Sequence, residues 1–295
     1  MAHKTLNING NLVSLDTPLV MGILNVTPDS FYPASRKQTE AAVEERVQAI
    51  LEEGGAIVDL GGYSSRPDAA EVSPEEEMKR LAFALDIINR QFPGTAVSVD
   101  TFRAETARRC VEDYGAAIVN DISGGEVDPA MFDTVASLHV PYILMHMRGT
   151  PQTMQQHTDY TDMMDEIMLY LAEKVRRLHL LGVNDIILDP GFGFSKTTDQ
   201  NYELMSRLNE FALFDLPILA GISRKSMIYR FLGGSPAESL NGTAVLNTFA
   251  LLNGADILRV HDVKEAVEAV KIVKKLTASL PTVSNSQRIL TPNVF

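Results

Sequence analysis

The chain has 295 residues, 45% hydrophobic and 22% charged, which is the usage of an ordinary globular protein. Its net charge of −12 excludes a general binder of nucleic acid or anionic membrane, because both select basic faces. An anionic small substrate then requires a local cluster of cations set against the global field. No apolar run approaches the ~20 residues that span a bilayer, and the N-terminal MAHKTLNING lacks the charged-then-apolar pattern of a secretion signal. The single cysteine, Cys110, excludes an internal disulfide framework, fits a reducing cytoplasm and reads as a small buried helix residue.

In chain order, residues 5–16 predict a hairpin turning on Asn9-Gly10, placed against a barrel floor. Eight short apolar runs follow, each ending abruptly in polar residues. They are LVMGILN to Asn25, AIVDLGG around Asp59, AVSVD to Asp100, and AAIVND to Asn120 and Asp121. Then come PYILMH to His146, DIILDPG around Asp189, PILAGIS to Ser223, and DILRVH with Arg259 and His261. Their aliphatic and β-branched content suits strands buried on both faces.

Helical patterns lie between them. Val43, Val47, Ile50 and Leu51 share a face over 39–53. A capping box with proline at the first helical position opens 74–91, and Gly182 is placed to end a helix over 161–181. Ser235 and Asp262 open two later helices, while 122–139 is the shortest connection. Strand and helix alternating eight times predicts a single-domain α/β protein, a (β/α)8 TIM barrel over about 19–277, with a polar tail over 279–295. A doubly wound sheet would carry a glycine-rich dinucleotide fingerprint after its first strand, and none is present.

In such a barrel the C-terminal strand ends form the mouth, so polar residues there converge on one cavity. Lys225 after the seventh strand, with Arg259 and His261 on the eighth, form the cation cluster that an anion requires. Arg66, in the loop after the second strand, is a further cation, and Asp262 is placed to cap the last helix. Asp100, Asn120 and Asp189 are a poor metal set but suit a flat heterocycle with several N–H donors, walled by Ile122 and Met145. Asp121 fits a turn bond better than a ligand contact.

The motifs MGILNVTPDSF, SSRP, SVDT, VNDISGG, LDPGFGFSK, GISRKS and RVHD, in this order, resemble the dihydropteroate synthase family, the sulfonamide-inhibited enzymes of folate biosynthesis. The resemblance runs from about Leu19 to Lys275. It implies a cytoplasmic transferase that joins 6-hydroxymethyl-7,8-dihydropterin diphosphate to p-aminobenzoate and releases pyrophosphate, with Mg²⁺ as cofactor, acting as a homodimer. It further implies that Asp100, Asn120, Asp189 and Lys225 contact the pterin. Ser65, Arg66, Arg259 and His261 would contact the pyrophosphate, and Asn25 would be linked to the magnesium. Ser226 would anchor the p-aminobenzoate carboxylate, with Phe31, Pro67 and Phe194 around its ring.

The sequence departs from the common family pattern at Tyr32-Pro33-Ala34, at Tyr63 where glutamate is usual, at Ser65 where threonine is, and at Asp68 where glycine is. A pterin-binding methyltransferase barrel would share the Asp/Asn set without needing the diphosphate cations. A non-catalytic pterin-binding subunit would likewise keep the barrel and lose them.

Overall fold

The computed structural model describes residues 3–26, 36–63 and 72–279. Phe31, Tyr32-Pro33-Ala34, Ser65, Arg66, Pro67, Asp68 and the tail from residue 280 therefore lie outside the described residues.

Thr5–Ile8 (β1) and Asn11–Ser14 (β2) pair as the expected antiparallel hairpin. Asn9 and Gly10 both have positive φ, 51° and 76°, the tight turn whose twist matches that of the flanking strands. The hairpin is a plug. Leu6, Ile8 and Leu15 are buried in one cluster with Met21, Ile57, Ile143, Ile187, Leu219 and Ile257, from the early positions of the barrel strands.

The barrel strands are Leu19–Asn25 (β3), Ile57–Gly61 (β4), Val97–Asp100 (β5), Ile118–Asp121 (β6), Tyr142–Met145 (β7), Ile186–Asp189 (β8), Leu219–Ala220 (β9) and Ile257–Val260 (β10). They form one parallel sheet in the order β8-β7-β6-β5-β4-β3-β10-β9. A parallel bridge from Leu188 to Ile218, with the Leu188 N–H donating to Pro217 O at 2.8 Å, joins the two ends. The helices are Arg36–Glu52 (α1), Pro74–Gln91 (α2), Ala104–Tyr114 (α3), Met131–Leu138 (α4), Met163–Leu180 (α5), Thr198–Ser206 (α6), Ser226–Leu232 (α7), Leu240–Leu252 (α8) and Val263–Ala278 (α9). No helix among the described residues is long and apolar enough to cross a membrane.

Side-chain alternation along the strands explains the polar run ends. In β10, Leu258 and Val260 join the cluster under the helices, Ile257 joins the floor cluster, and Arg259 is left at the mouth. In β8, Ile186 and Leu188 lie under the helices, Ile187 in the floor and Asp189 at the top. With a period of two, every second residue faces the barrel interior, and the last inward residue of each strand belongs to the mouth. Close approach of helix to sheet is visible at Gly22, where a Cβ would fall 2.7 Å from Ile50.

Several boundaries differ from the sequence expectation. β4 continues to Gly61, so Asp59 is a mid-strand residue, and β9 is only two residues long, leaving Ser223 beyond it. Ser235 does open a capping box, but on a 3-10 turn, Pro236–Glu238, ahead of α8. Asp262 precedes α9 without capping it through its side chain, because Arg224 takes both carboxylate oxygens at 2.6 and 2.9 Å. Cys110 is free and buried in α3, and burial pushes its thiol up to about 12.

Candidate active site

At the centre of the mouth is Arg259. Its Nε donates to Asp59 Oδ2 at 2.6 Å and its Nη2 to Asp100 Oδ2 at 2.8 Å. Asp59 is fully buried, and the Asn120 amide donates to both of its oxygens at 3.2 and 3.4 Å. Four strands, β4, β5, β6 and β10, thus meet in one polar network. Burial raises the Asp100 carboxyl above the ordinary range, against the lowering effect of Arg259 and of a hydrogen bond from Tyr63. Burial lowers the Arg259 guanidinium, but Asp59 and Asp100 more than offset it. The sequence marks Asp59 as the polar residue of its apolar run but assigns it no ligand contact, and its pairing with Arg259 appears only in the fold.

On the opposite side, Asp189 Oδ1 accepts from the Gly191 N–H at 2.8 Å, and burial raises its pKa while Lys225 lowers it. Lys225 donates to the Phe192 carbonyl and its Nζ lies 4.5 Å from the centre of the Phe194 ring. Burial lowers its ammonium to about 8, with Asp189 acting the other way. Gly193 lets this lysine pass: its φ is 81°, and a Cβ there would lie 3.0 Å from Lys225 Cδ.

The sequence reading passed over Lys196. It is buried, donates to the carbonyls of Gly191 and Phe194 at 3.0 Å each, and shares a 3.1 Å bond with His146 Nδ1. Burial lowers Lys196 to about 7 and pushes His146 well below its ordinary value, so the imidazole is neutral and can accept. Lys196 therefore fixes the turn that presents the Phe192 carbonyl to Lys225 and carries Phe194 to the mouth. Three basic side chains, Arg259, Lys225 and Lys196, face three carboxylates, Asp59, Asp100 and Asp189, in this region.

Ile122, Met145 and Phe194 form one buried apolar cluster with Met147 and Met154, against which Tyr63 and Phe102 pack. This wall contains both expected heterocycle neighbours. It also draws in Phe194, which the family resemblance assigned to the other substrate. Asp121 is turn chemistry, as expected: it accepts from Ser123 N–H and Oγ, the Gly125 N–H and the Tyr142 hydroxyl at 2.7–2.8 Å.

His261 lies at the exposed rim, its Nδ1 3.1 Å from Ser223 Oγ, which also accepts the His261 N–H at 3.1 Å. Desolvation, then the charge of Arg259, lowers the imidazole to about 4, with Arg224 and Arg46 adding to the effect. Water at the rim offsets part of this, but the direction leaves a neutral ring at pH 7. The structure brings Lys225, Arg259 and His261 to neighbouring strand ends, with Arg259 paired to two carboxylates and the His261 imidazole lowered chiefly by desolvation. Ser226 begins α7, next to Lys225. Asn25 ends β3 with its side chain exposed, and a Cβ at Gly61 would lie 3.0 Å from its amide oxygen. A cavity of about 340 Å³ beside it is lined by residues including Ile23, Arg46 and His261.

The profile of the family described as pterin binding enzyme matches residues 21–261. The dihydropteroate synthase of Escherichia coli K12 is 42% identical over 267 residues, covering 90% of this chain and 94% of that one. The enzyme of the same name from Synechocystis is 40% identical over 87% of this chain and 89% of its own length. Among solved structures, Yersinia pestis dihydropteroate synthase with a sulfonamide drug superposes with a TM-score of 0.86 at 36% identity, over 94% of this chain and all of the other. Xanthomonas albilineans dihydropteroate synthase with 4-aminobenzoic acid gives 0.85 at 35% identity, over 95% of this chain and 100% of that one.

Proposed function

The chain belongs to the dihydropteroate synthase family of pterin-binding enzymes, and from that premise we propose how its mouth performs the reaction. It is a transferase, condensing 6-hydroxymethyl-7,8-dihydropterin diphosphate with p-aminobenzoate to give 7,8-dihydropteroate and pyrophosphate. The observation that carries the residue-level reading is the paired network of Asp59, Asp100, Asn120 and Arg259 beside Asp189 and Lys225, with an apolar wall next to both.

The pterin ring lies against Ile122 and Met145, its N–H donors reading Asp100 and Asp189 and its acceptors reading Asn120 and Lys225. When the diphosphate leaves the exocyclic methylene, the pterin is left as a delocalised cation. The carboxylates around it stabilise that charge in a site already organised to do so. Arg259 uses two of its five N–H donors on Asp59 and Asp100, leaving others for the leaving oxygens. Ser223 can donate to His261 Nδ1, which leaves Nε2–H to bond the diphosphate without a charge of its own. The family resemblance assigns Ser65 and Arg66 to the same anion. The neutral aniline nitrogen then attacks the methylene carbon, and the resulting anilinium passes its proton to the departing pyrophosphate or to water. Ser226 is assigned to the p-aminobenzoate carboxylate, and the family resemblance assigns Phe31, Pro67 and Phe194 to its ring, Phe194 standing where the two substrates would meet.

No group of three or more His, Cys, Asp or Glu side chains among the described residues is arranged to hold a metal ion. Asn25 offers one exposed amide oxygen at the rim. That fits Mg²⁺ entering with the diphosphate and keeping most of its waters, since Mg²⁺ commonly binds through substrate phosphates and one or two protein oxygens. Bound there, it would neutralise charge on the departing pyrophosphate. The deciding assay is pyrophosphate release from the two substrates, with and without EDTA. Mg²⁺-dependent pyrophosphate release, with dihydropteroate formed only when both substrates are present, is expected, and the absence of product in the wild-type protein would refute the reading.

Asp189→Asn is expected to weaken binding of the pterin diphosphate by about 10- to 100-fold, the range for losing hydrogen bonds to a charged acceptor. p-Aminobenzoate affinity, measured separately by calorimetry, should stay within about twofold. Equal losses for both ligands would mean that Asp189 does not read the pterin.

The protein works as a cytoplasmic homodimer in this reading. Support for the dimer comes from apolar side chains left exposed on α7, α8 and α9: Phe231, Leu232, Val245, Phe249, Ile272 and Leu276. Sedimentation should give a dimer for the wild type and a monomer for Phe249→Glu. A monomeric wild type would exclude the assignment.

A further inference from the structure

Tyr63 is the last described residue before the second mouth loop. Its hydroxyl donates to Asp100 Oδ1 at 2.8 Å, and its ring meets Phe102 edge-on with centroids 5.0 Å apart. The same ring packs on the cluster that contains Ile122, Met145 and Phe194. Asp100 is therefore gripped at both oxygens, Oδ1 by Tyr63 and Oδ2 by Arg259, from two different strands and their loops.

We infer that Tyr63 is a positioning residue for the pterin: its hydroxyl fixes the plane of the Asp100 carboxylate while its ring completes the apolar side of the slot. The inference rests on the proposed pterin site and deepens it. A carboxylate has about four lone-pair directions. With one taken on each oxygen, the remaining two are held in a fixed plane, which suits the paired N–H donors of a rigid heterocycle and costs little ordering when the ring arrives. Arg259 alone would leave the carboxylate free to turn about its bond to Cβ. The other charged groups near Asp100 do not substitute for Tyr63: Asp59 on β4 and Glu77 on α2 repel its charge, and Lys225, which attracts it, is committed to the Phe192 carbonyl.

Tyr63→Phe removes the hydroxyl and keeps the ring, so it separates the two roles. We expect the dissociation constant for the pterin diphosphate to rise about tenfold. p-Aminobenzoate binding, titrated in the presence of pyrophosphate and Mg²⁺, should change less than twofold, and the melting temperature should stay within a few degrees. The hydroxyl acts only through Asp100, so Tyr63→Phe added to Asp100→Asn should weaken pterin binding no further than Asp100→Asn does alone. Pterin affinity within twofold of wild type in Tyr63→Phe would overturn the inference. So would equal losses for the two ligands, or effects that multiply in the double variant. Failure of the wild-type protein to bind the pterin diphosphate would instead remove the proposed site beneath it, so the two failures are distinguishable.

Discussion

Arg259→Ala is expected to cost the protein about 3–5 kcal/mol of folding stability and to abolish measurable turnover. Asp59 is fully buried and the Asp100 side chain is 9% exposed, so removing the guanidinium leaves two carboxylates close together in a poorly solvated space. Breaking a buried ion pair by deleting one partner costs in this range, because the remaining charge is neither hydrated nor compensated. Against a typical total of about 5–15 kcal/mol the loss is large. The chain can relieve it only by protonating a carboxylate, so the variant should recover some stability as the pH is lowered from 8 to 6. Urea denaturation across that range measures both effects. Adding Asp59→Asn should restore part of the lost stability without restoring activity, since it removes one stranded charge and leaves the anion site without its arginine. An unchanged urea midpoint in Arg259→Ala would show that the network contributes nothing to folding.

Lys225→Ala is expected to behave in the opposite way, cutting kcat/KM by about 10²–10³-fold, the cost of losing one preorganised donor, while the melting temperature shifts by only a few degrees. The lysine is half-buried at the mouth and donates to a backbone carbonyl, and the turn that supplies this carbonyl is held independently by Lys196. A pH profile gives a second reading. The Lys225 ammonium is lowered to about 8, so the free enzyme carries the charge below that pH and loses it above. The kcat/KM for the pterin diphosphate should then fall about tenfold per unit as the pH rises beyond 8, because this parameter reports groups of the free enzyme. In Lys225→Arg this limb should vanish, since the guanidinium keeps its proton throughout. A variant that melts much earlier, or a limb that persists in Lys225→Arg, would assign the lysine to the fold and the titration to another group.

The barrel was legible from the chain alone because its strands are buried on both faces. Such strands read as uninterrupted apolar runs, and their inward termini must turn polar where the core opens to solvent. Asp100, Asn120, Asp189 and Arg259 were visible for that reason, as was the hairpin, since Asn9-Gly10 accepts the two positive φ values its turn demands. Which of these residues neutralise one another was not legible. Asp59 and Arg259 are 200 positions apart, and only the closed sheet brings them to 2.6 Å. Asp262 looked like a helix cap because a cap is a local pattern, whereas its actual partner, Arg224, arrives through a loop with a positive φ of 56°. Lys196 and Tyr63 sit in the loop segments next to β8 and β4, where local sequence does not report depth. Their roles follow from what the folded barrel places above and beside them. The residue types at the mouth were thus written in the strand periodicity, while charge state and pairing were decided by tertiary structure, because desolvation and Coulomb interactions depend on distances in space rather than along the chain.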